Sequence, residues 1–206
     1  MVKYALSKYN GDASRVFVTG TSSGAVMTNV LYGSYPDVFA ASAGFAGFAD
    51  VAFGCFAGNG YDVWSDACAK GNAVKTGAEW AALVTAAYSG YSGFGPKMQV
   101  FYGTADTTLY SQNLQEEIKQ WTAVLELSAT ASGTTSNTPV SGWMRYRYGI
   151  TFEAHPAQSV THNIPAQEST VMAWFDLTCM SESCYSRSNS RSSGSTGAQG
   201  VRQRRH

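Results

Sequence analysis

The sequence is poor in charge and in long apolar runs. Charged residues make up 14% of the 206-residue chain, and their signs balance to a formal net charge of zero. Residues 1–177 carry nine Lys and Arg against thirteen Asp and Glu, so this part offers no basic surface for nucleic acid. No run of about 18 apolar residues occurs, so no membrane-spanning helix is predicted. Residues 1–10 also lack the uninterrupted apolar segment of a signal peptide.

The four cysteines form two pairs in the sequence, Cys55 with Cys68 and Cys179 with Cys184. Neither pair has the short spacing of a zinc knuckle and no histidine lies near them, so no metal site is predicted. Cys55 and Cys68 bracket a segment rich in Gly, Asn and Asp, of the kind that a disulfide stabilises. We therefore predict a Cys55–Cys68 disulfide, which suits an oxidising compartment, with two free thiols as the alternative.

Helical and strand patterns alternate through residues 1–177. Such alternation is typical of an α/β fold, here a mostly parallel sheet with flanking helices. The apolar patterns predict a helix after Gly24, further helices over 1–9, 76–88, 112–125 and 167–177, and strands over 15–19, 38–46, 98–102, 143–148 and 150–155. We interpret residues 127–141 as a connector. Residues 178–206, dominated by serine, arginine and glycine, are interpreted as a disordered tail.

The segment Gly20-Thr21-Ser22-Ser23-Gly24 separates the first predicted strand from an apolar helical pattern. A sharp strand-to-helix turn of this GxSxG form lifts a serine hydroxyl above the sheet, where a base can reach it. Gly20 and Gly24 supply the small residues that such a turn needs. The Ser23 N–H, at the helix start, is placed to bind an oxyanion formed beside Ser22. The alternative is a Gly/Ser-rich loop in which Ser22 or Ser23 only caps the helix.

Asp106 and His162 are the candidate partners of Ser22. Asp106 follows the strand predicted over 98–102, and His162 lies in the loop before the last helix. Site residues of open α/β sheets gather at the carboxyl ends of strands, and the order Ser, Asp, His is that of α/β-hydrolases. His155 is the rival base, but it lies within a predicted strand. Asp106 has the alternative role of capping the turn that follows it.

Four longer segments of the chain carry a family resemblance. They are VFVTGTSSGAVMTNVLYGSYPDVFAASAGFAG, PKMQVFYGTADTTLY, NTPVSGW and, after the histidine loop, MAWFDL. In this order they resemble the fungal acetyl xylan esterases of carbohydrate esterase family one. Feruloyl esterases and polyhydroxybutyrate depolymerases are more distantly similar. The resemblance covers about residues 1–177.

The resemblance implies a serine esterase with Ser22 as nucleophile, Asp106 as the acid and His162 as the base. It implies no metal and no organic cofactor. It also implies a monomer whose partner is acetylated xylan rather than nucleic acid or a membrane. Trp143 and Tyr110 would bind substrate, Trp143 as a sugar-stacking surface, although both rings have the alternative of filling the core. The resemblance further implies an extracellular, secreted enzyme of plant cell-wall degradation.

The resemblance also implies a missing part. In this family the second oxyanion donor belongs to an HG-type motif that would lie upstream of Met1, and no such motif occurs in the chain. We therefore expect an N-terminally truncated hydrolase domain over 1–177, lacking its N-terminal strands, followed by the tail. Two alternatives stay open: a feruloyl esterase of the same family, and a catalytically inactive carbohydrate-binding remnant.

Overall fold

The computed structural model of the protein describes residues 1–49, 64–91 and 95–178. Helices and strands alternate along these ranges, as the apolar patterns predict. The helices are α1 (Val2–Tyr9), α2 (Ser23–Ser34), α3 (Asp66–Ala69), α4 (Gly77–Ala87), α5 (Gln112–Val124) and α6 (Glu168–Trp174). The strands are β1 (Phe17–Thr21), β2 (Ala41–Phe45), β3 (Lys97–Gly103), β4 (Gly133–Ser136), β5 (Met144–Tyr148) and β6 (Phe152–Ala157). No helix within the described ranges is long and apolar enough to cross a lipid bilayer.

The strands form one mixed sheet in the order β1-β2-β3-β6-β5-β4. β1, β2, β3 and β6 run parallel, and β5 and β4 extend the sheet in antiparallel orientation. Across the parallel part, Gly20 lies opposite Gly44, Phe45 opposite Phe101, and Phe101 opposite His155. The predicted α/β fold, with a mostly parallel sheet and flanking helices, is therefore confirmed. β1 forms one edge of the sheet that the described residues build.

β4 is the strand that the sequence interpretation missed. Its four residues lie within the stretch 127–141 that was expected to be a connector, and all four are exposed. They pair with β5, with Ser136 opposite Met144. A strand whose side chains are exposed on both faces needs no apolar residues. No alternation of apolar and polar residues therefore marks it in the sequence.

β3 separates two hydrophobic cores on opposite faces of the sheet. Val100 and Tyr102 pack into the first core, and Phe101 packs into the second. Because successive side chains of a strand point to opposite faces, a strand covered on both sides becomes a continuous apolar run. The tryptophans of helices α4, α5 and α6 are buried or half-buried: Trp80, Trp121 and Trp174.

Helices α4 and α5 cover the first core. Thr76 and Glu79 form a capping box at the start of α4, since each side chain bonds the backbone N–H of the other residue. The buried Glu116 carboxylate of α5 accepts a hydrogen bond of 2.9 Å from Trp80 Nε1 of α4. Burial alone would raise the pKa of Glu116, but hydrogen bonds, led by the one from Lys119, bring it below its ordinary value. Glu116 thus joins the two helices as a carboxylate with several donors.

Cys68, in α3, is buried and takes part in a disulfide bond. The other three cysteines, Cys55 among them, lie outside the described residues, so the Cys55–Cys68 pairing stays a prediction. The tail predicted over 178–206 likewise lies outside the described residues, apart from Thr178. The disulfide of Cys68 argues against the alternative of two free thiols.

Glu117, next to Glu116 on α5, is a carboxyl with far fewer donors. It is 1% exposed and accepts a hydrogen bond of 2.7 Å from the Asn29 side-chain amide. Burial raises the pKa of Glu117 from about 4.5 to about 7, because desolvation outweighs the Asn29 hydrogen bond. The folded protein therefore binds this proton more tightly than the unfolded chain does. The resulting stabilisation is fully present below about pH 4.5 and is lost as the pH rises through about 7.

Replacing Glu117 by glutamine should remove this pH dependence, because a glutamine does not titrate. Between about pH 4 and about pH 8, the wild type should lose about 3 kcal/mol of unfolding free energy relative to Glu117→Gln. Urea denaturation of the 206-residue chain at both pH values measures the difference. Stabilities of the two proteins that change in parallel with pH would contradict this expectation.

Candidate active site

Ser22 occupies the turn between β1 and α2, in a backbone conformation that is rare for a residue with a side chain. Its φ is 56° and its ψ is −121°, and such conformations cost about 1–3 kcal/mol. The Ser22 N–H donates to Phe45 O at 2.9 Å, and the Ser22 carbonyl accepts from Ala25 N at 2.9 Å. The turn therefore has the predicted form, with the serine between the end of a parallel strand and the first turn of a helix.

The two glycines of the motif differ in the space around them. A Cβ on Gly20 would lie 2.3 Å from both the carbonyl carbon and the oxygen of Gly24, so no side chain fits there. A Cβ on Gly24 would meet no described atom within 4 Å. The prediction that close packing requires a glycine is confirmed for Gly20. The same prediction is wrong for Gly24, because a side chain at that position would point into open space in the described structure.

Ser22, His162 and Asp106 form a continuous hydrogen-bonded chain. His162 Nε2 lies 2.9 Å from Ser22 Oγ, and His162 Nδ1 lies 2.7 Å from Asp106 Oδ2. The Asp106 side chain is fully buried, whereas the imidazole keeps 23% of its surface exposed. The sequence prediction named these three residues, and the structure brings them within hydrogen-bonding distance of one another.

Asp106 uses its two carboxylate oxygens for different partners. Oδ1 accepts hydrogen bonds from the backbone N–H groups of Thr108 at 2.8 Å and Leu109 at 2.9 Å, while Oδ2 faces His162. The alternative that this carboxylate caps the turn after it is therefore also correct. The two roles are compatible, because the cap fixes the orientation in which the second oxygen meets the imidazole.

The loops that carry Asp106 and His162 contact each other directly. Gly103, at the end of β3, lies against the histidine loop, and a Cβ there would be 2.3 Å from Val160 O and 2.6 Å from Thr161 O. The Ala105 N–H donates to Val160 O at 2.9 Å. Backbone packing at a glycine thus sets the distance between the carboxylate and the imidazole.

Ser23 is the first residue of α2 and is exposed. The first N–H groups of a helix have no intrahelical acceptor, so the Ser23 N–H is available beside Ser22. Negative charge at this point also interacts favourably with the helix dipole. An oxyanion formed next to Ser22 would meet a suitable donor here.

His155, the rival base, lies in the sheet and faces a different set of residues. It is fully buried in β6 and stacks on Phe101, with ring centroids 4.6 Å apart. Its Nε2 lies 3.2 Å from Glu153 Oε2 and 3.3 Å from Gln99 Nε2. Burial opposes the charge of Glu153, but hydrogen bonds from His155 and Gln99 lower the pKa of this carboxyl. His155 therefore belongs to a buried polar cluster that the sequence interpretation did not identify.

The two aromatic residues expected to bind substrate have different surroundings. Trp143 is 4% exposed, and its ring centroid lies 6.2 Å from that of Phe101 in the second core. The prediction that Trp143 forms a sugar-stacking surface is therefore wrong, because a buried ring offers no face to a sugar. Tyr110 is 44% exposed, with its backbone bonded to Ala69 O at 2.7 Å. Its role in substrate binding stays a prediction.

The fold and the site together define a class of protein. A strained serine at a strand-to-helix turn, an imidazole and a buried carboxylate on a mostly parallel sheet are the arrangement of a serine hydrolase with an α/β-hydrolase fold. Within the described residues, no group of three or more His, Cys, Asp or Glu side chains could bind a metal ion.

Comparison with known proteins identifies the family. Residues 1–126 match the model of the prolyl oligopeptidase family, so the chain belongs to that family. Feruloyl esterase B of Talaromyces stipitatus is 46% identical over 183 residues, which cover 86% of this chain and 50% of that protein. Acetylxylan esterase A of Emericella nidulans is 44% identical over 181 residues, which cover 86% of this chain and 59% of that protein.

A solved structure is also similar. The acetyl xylan esterase from Aspergillus awamori superimposes with a TM-score of 0.82 at 39% sequence identity, over 86% of this chain and 65% of that chain. The resemblance to acetyl xylan esterases that the sequence motifs indicated is thereby confirmed. The chain spans 50% and 59% of the length of the two curated relatives named above.

Placing alanine at Gly103 tests whether the contact between the two loops positions the imidazole. The new methyl group would meet Val160 O and Thr161 O, which are backbone atoms that move only with the whole loop. We expect Gly103→Ala to lower stability by about 1–3 kcal/mol. We also expect labelling by a serine-directed phosphonate to slow at least about tenfold, because His162 is displaced.

Gly133→Ala is the matched control, because a Cβ at this β4 position would meet no described atom within 4 Å. It should leave both the urea midpoint and the labelling rate unchanged. Equal labelling rates for Gly103→Ala and the wild type would show that the imidazole does not depend on this contact.

Proposed function

We propose that this chain is a serine carboxylesterase that removes acetyl groups from acetylated xylan through an acyl-enzyme intermediate. The observation that carries the proposal is the hydrogen-bonded chain from Asp106 through His162 to Ser22, with distances of 2.7 Å and 2.9 Å. The reaction needs a nucleophile, a base and an oriented carboxylate, and these three side chains supply them.

The first half of the reaction forms the acyl-enzyme. Unprotonated His162 Nε2 takes the proton of the Ser22 hydroxyl as Oγ attacks the carbonyl carbon of the acetyl ester. Buried Asp106 stabilises the imidazolium that results. The Ser23 N–H donates to the oxyanion of the tetrahedral intermediate. When the intermediate collapses, the imidazolium gives its proton to the departing sugar oxygen, and an acetyl group stays on Ser22.

The second half releases acetate. Water loses a proton to His162 Nε2 and attacks the carbonyl carbon of the acetyl-serine. The second tetrahedral intermediate uses the same oxyanion donor. Its collapse expels Ser22 Oγ, which recovers a proton from the imidazolium. Ser22 and His162 thus return to their starting protonation states, and no metal or organic cofactor enters any step.

The names of the relatives support the choice of substrate class. Acetylxylan esterase A of Emericella nidulans and the acetyl xylan esterase of Aspergillus awamori support acetylated xylan. Feruloyl esterase B of Talaromyces stipitatus supports the second candidate, a feruloyl esterase using the same residues. We further propose a secreted monomer with its catalytic unit in residues 1–177, acting on a polysaccharide rather than on nucleic acid or a membrane. The disulfide of Cys68 is consistent with secretion.

Substitution of the nucleophile and of the acid tests the mechanism. Ser22→Ala and Asp106→Asn should each lower hydrolysis of p-nitrophenyl acetate by about 10⁴-fold, because the first removes the attacking atom and the second leaves the imidazole misoriented. Asp37→Asn, at an aspartate outside the site, is the matched control and should keep wild-type activity. Xylan binding without ester cleavage, equal in wild type and Ser22→Ala, would instead identify a carbohydrate-binding remnant.

A substrate comparison separates the two esterase candidates. The proposal predicts a kcat/KM for acetylated xylan oligosaccharides at least about tenfold higher than for methyl ferulate, which corresponds to about 1.4 kcal/mol of transition-state discrimination. Release of acetate and of ferulate, each measured by chromatography, gives the two values. A preference for methyl ferulate of the same size would favour the feruloyl esterase.

A further inference from the structure

A buried polar network lies behind the turn that carries Ser22. Its centre is Asn29 of α2, which is fully buried. The Asn29 amide nitrogen lies 3.2 Å from Ala25 O, 3.2 Å from Phe48 O and 2.7 Å from Glu117 Oε1. The Asn29 oxygen accepts a hydrogen bond of 2.7 Å from Trp121 Nε1. Both ends of the amide are therefore occupied, and its orientation is determined by four groups from three parts of the chain.

Two of these contacts reach the backbone segments that bind Ser22. The Ala25 N–H donates to the Ser22 carbonyl, and the Ser22 N–H donates to Phe45 O at the end of β2. Phe48 follows Phe45 by three residues. By bonding both Ala25 O and Phe48 O, Asn29 connects the first turn of α2 to the segment after β2. These are the two sides between which the strained serine is placed.

Glu117 and Trp121 both bind Asn29 from α5, and Glu117 lies at the point where these segments meet. A Cβ on Gly47 would lie 3.0 Å from Ala25 Cβ and 3.3 Å from Glu117 Oε1. The carboxyl therefore lies at the contact between the first turn of α2 and the segment after β2.

The surroundings of Glu117 offer little compensation for a charge. Asn29 faces it from α2, and the segment after β2 contributes Gly47 and Phe48, which do not titrate. The titratable group that faces it is Tyr102 of β3, whose pKa is raised by burial and then by the nearby Glu117 charge. Glu116, on the same helix, bonds Trp80 of α4 instead. No described cation forms an ion pair with Glu117.

We propose that Glu117 is a positioning residue for the nucleophile. Its carboxyl, acting through Asn29, holds the first turn of α2 against the segment after β2 and so maintains the geometry of Ser22 and of the Ser23 N–H. The inference rests on the proposed role of Ser22 as nucleophile. A carboxyl in a buried place where a neutral side chain would be less costly is consistent with such a role.

The proposal implies that positioning improves as Glu117 ionises. A carboxylate accepts a hydrogen bond more strongly than a neutral group does, so the bond to Asn29 strengthens as the pH rises through about 7. Glu117→Gln keeps the size of the side chain in a neutral form. The ratio of the Ser22 phosphonylation rate in the wild type to that in the variant should therefore be near 1 at about pH 5.5. By about pH 8.5 it should rise to about fivefold. Any effect of pH that is common to both proteins cancels in this ratio.

Three comparisons distinguish positioning from a purely structural role. Glu116→Gln changes the neighbouring buried glutamate, which faces α4. For this variant, the ratio of the wild-type to the variant phosphonylation rate should not vary with pH. Asn29→Ala should slow phosphonylation of Ser22 about tenfold. The double variant with Glu117→Gln should react no more slowly than Asn29→Ala alone, because both substitutions act on the same contact. At about pH 8.5, Glu117→Gln should resist urea better than the wild type and yet react more slowly at Ser22. A merely structural defect would lower both quantities together.

Equal labelling rates for Glu117→Gln and the wild type at every pH would overturn the inference while leaving the proposed function intact. A slower rate that is accompanied by lower stability, with no dependence on pH, would also overturn it. The Ser22→Ala protein measures the background of the assay. If the wild type is labelled no faster than Ser22→Ala, the proposed function itself fails, and the inference fails with it.

Discussion

The backbone turn at Ser22 is the constraint on which the rest of the site depends. A residue with a side chain does not adopt a φ of 56° without compensation. That compensation comes from hydrogen bonds to the end of β2 and to the first turn of α2. The absence of a side chain at Gly20 lets the backbone of Gly24 come close enough to close the turn. Parallel strand pairing and helix packing therefore contribute directly to the position of a single hydroxyl group.

Within the described part of the chain, four buried carboxyls lie around this turn and the sheet beside it, and their partners differ. Asp106 has two backbone N–H groups and an imidazole, and Glu116 has several donors from α4 and its own helix. Glu153 has His155 and Gln99. Among the described residues, Glu117 has one amide. Because a buried charge is stable only where donors replace its lost hydration, this difference in donors accounts for the lowered pKa of Glu116 and Glu153 and the raised pKa of Glu117.

Most of the elements were predictable because their side-chain patterns are set locally. The strand over 98–102 and the helix over 112–125 were both found where the sequence indicated them. β4 was not predictable, since its exposed residues carry no apolar alternation. Trp143 was assigned to substrate from a resemblance, whereas its surroundings depend on where β5 and β3 bring its neighbours.

The sequence by itself determined most of the elements, the GxSxG turn and the three residues of the candidate catalytic chain. Its information is local, because period, capping and turn chemistry act over a few residues. Only the tertiary structure decided that His162 and Ser22, 140 positions apart, come within hydrogen-bonding distance. It also decided that Asn29, Trp121 and Glu117 form one network, and that Trp143 is buried. Such contacts depend on which strands pair and which helices pack, and these long-range choices leave no periodic pattern in the chain.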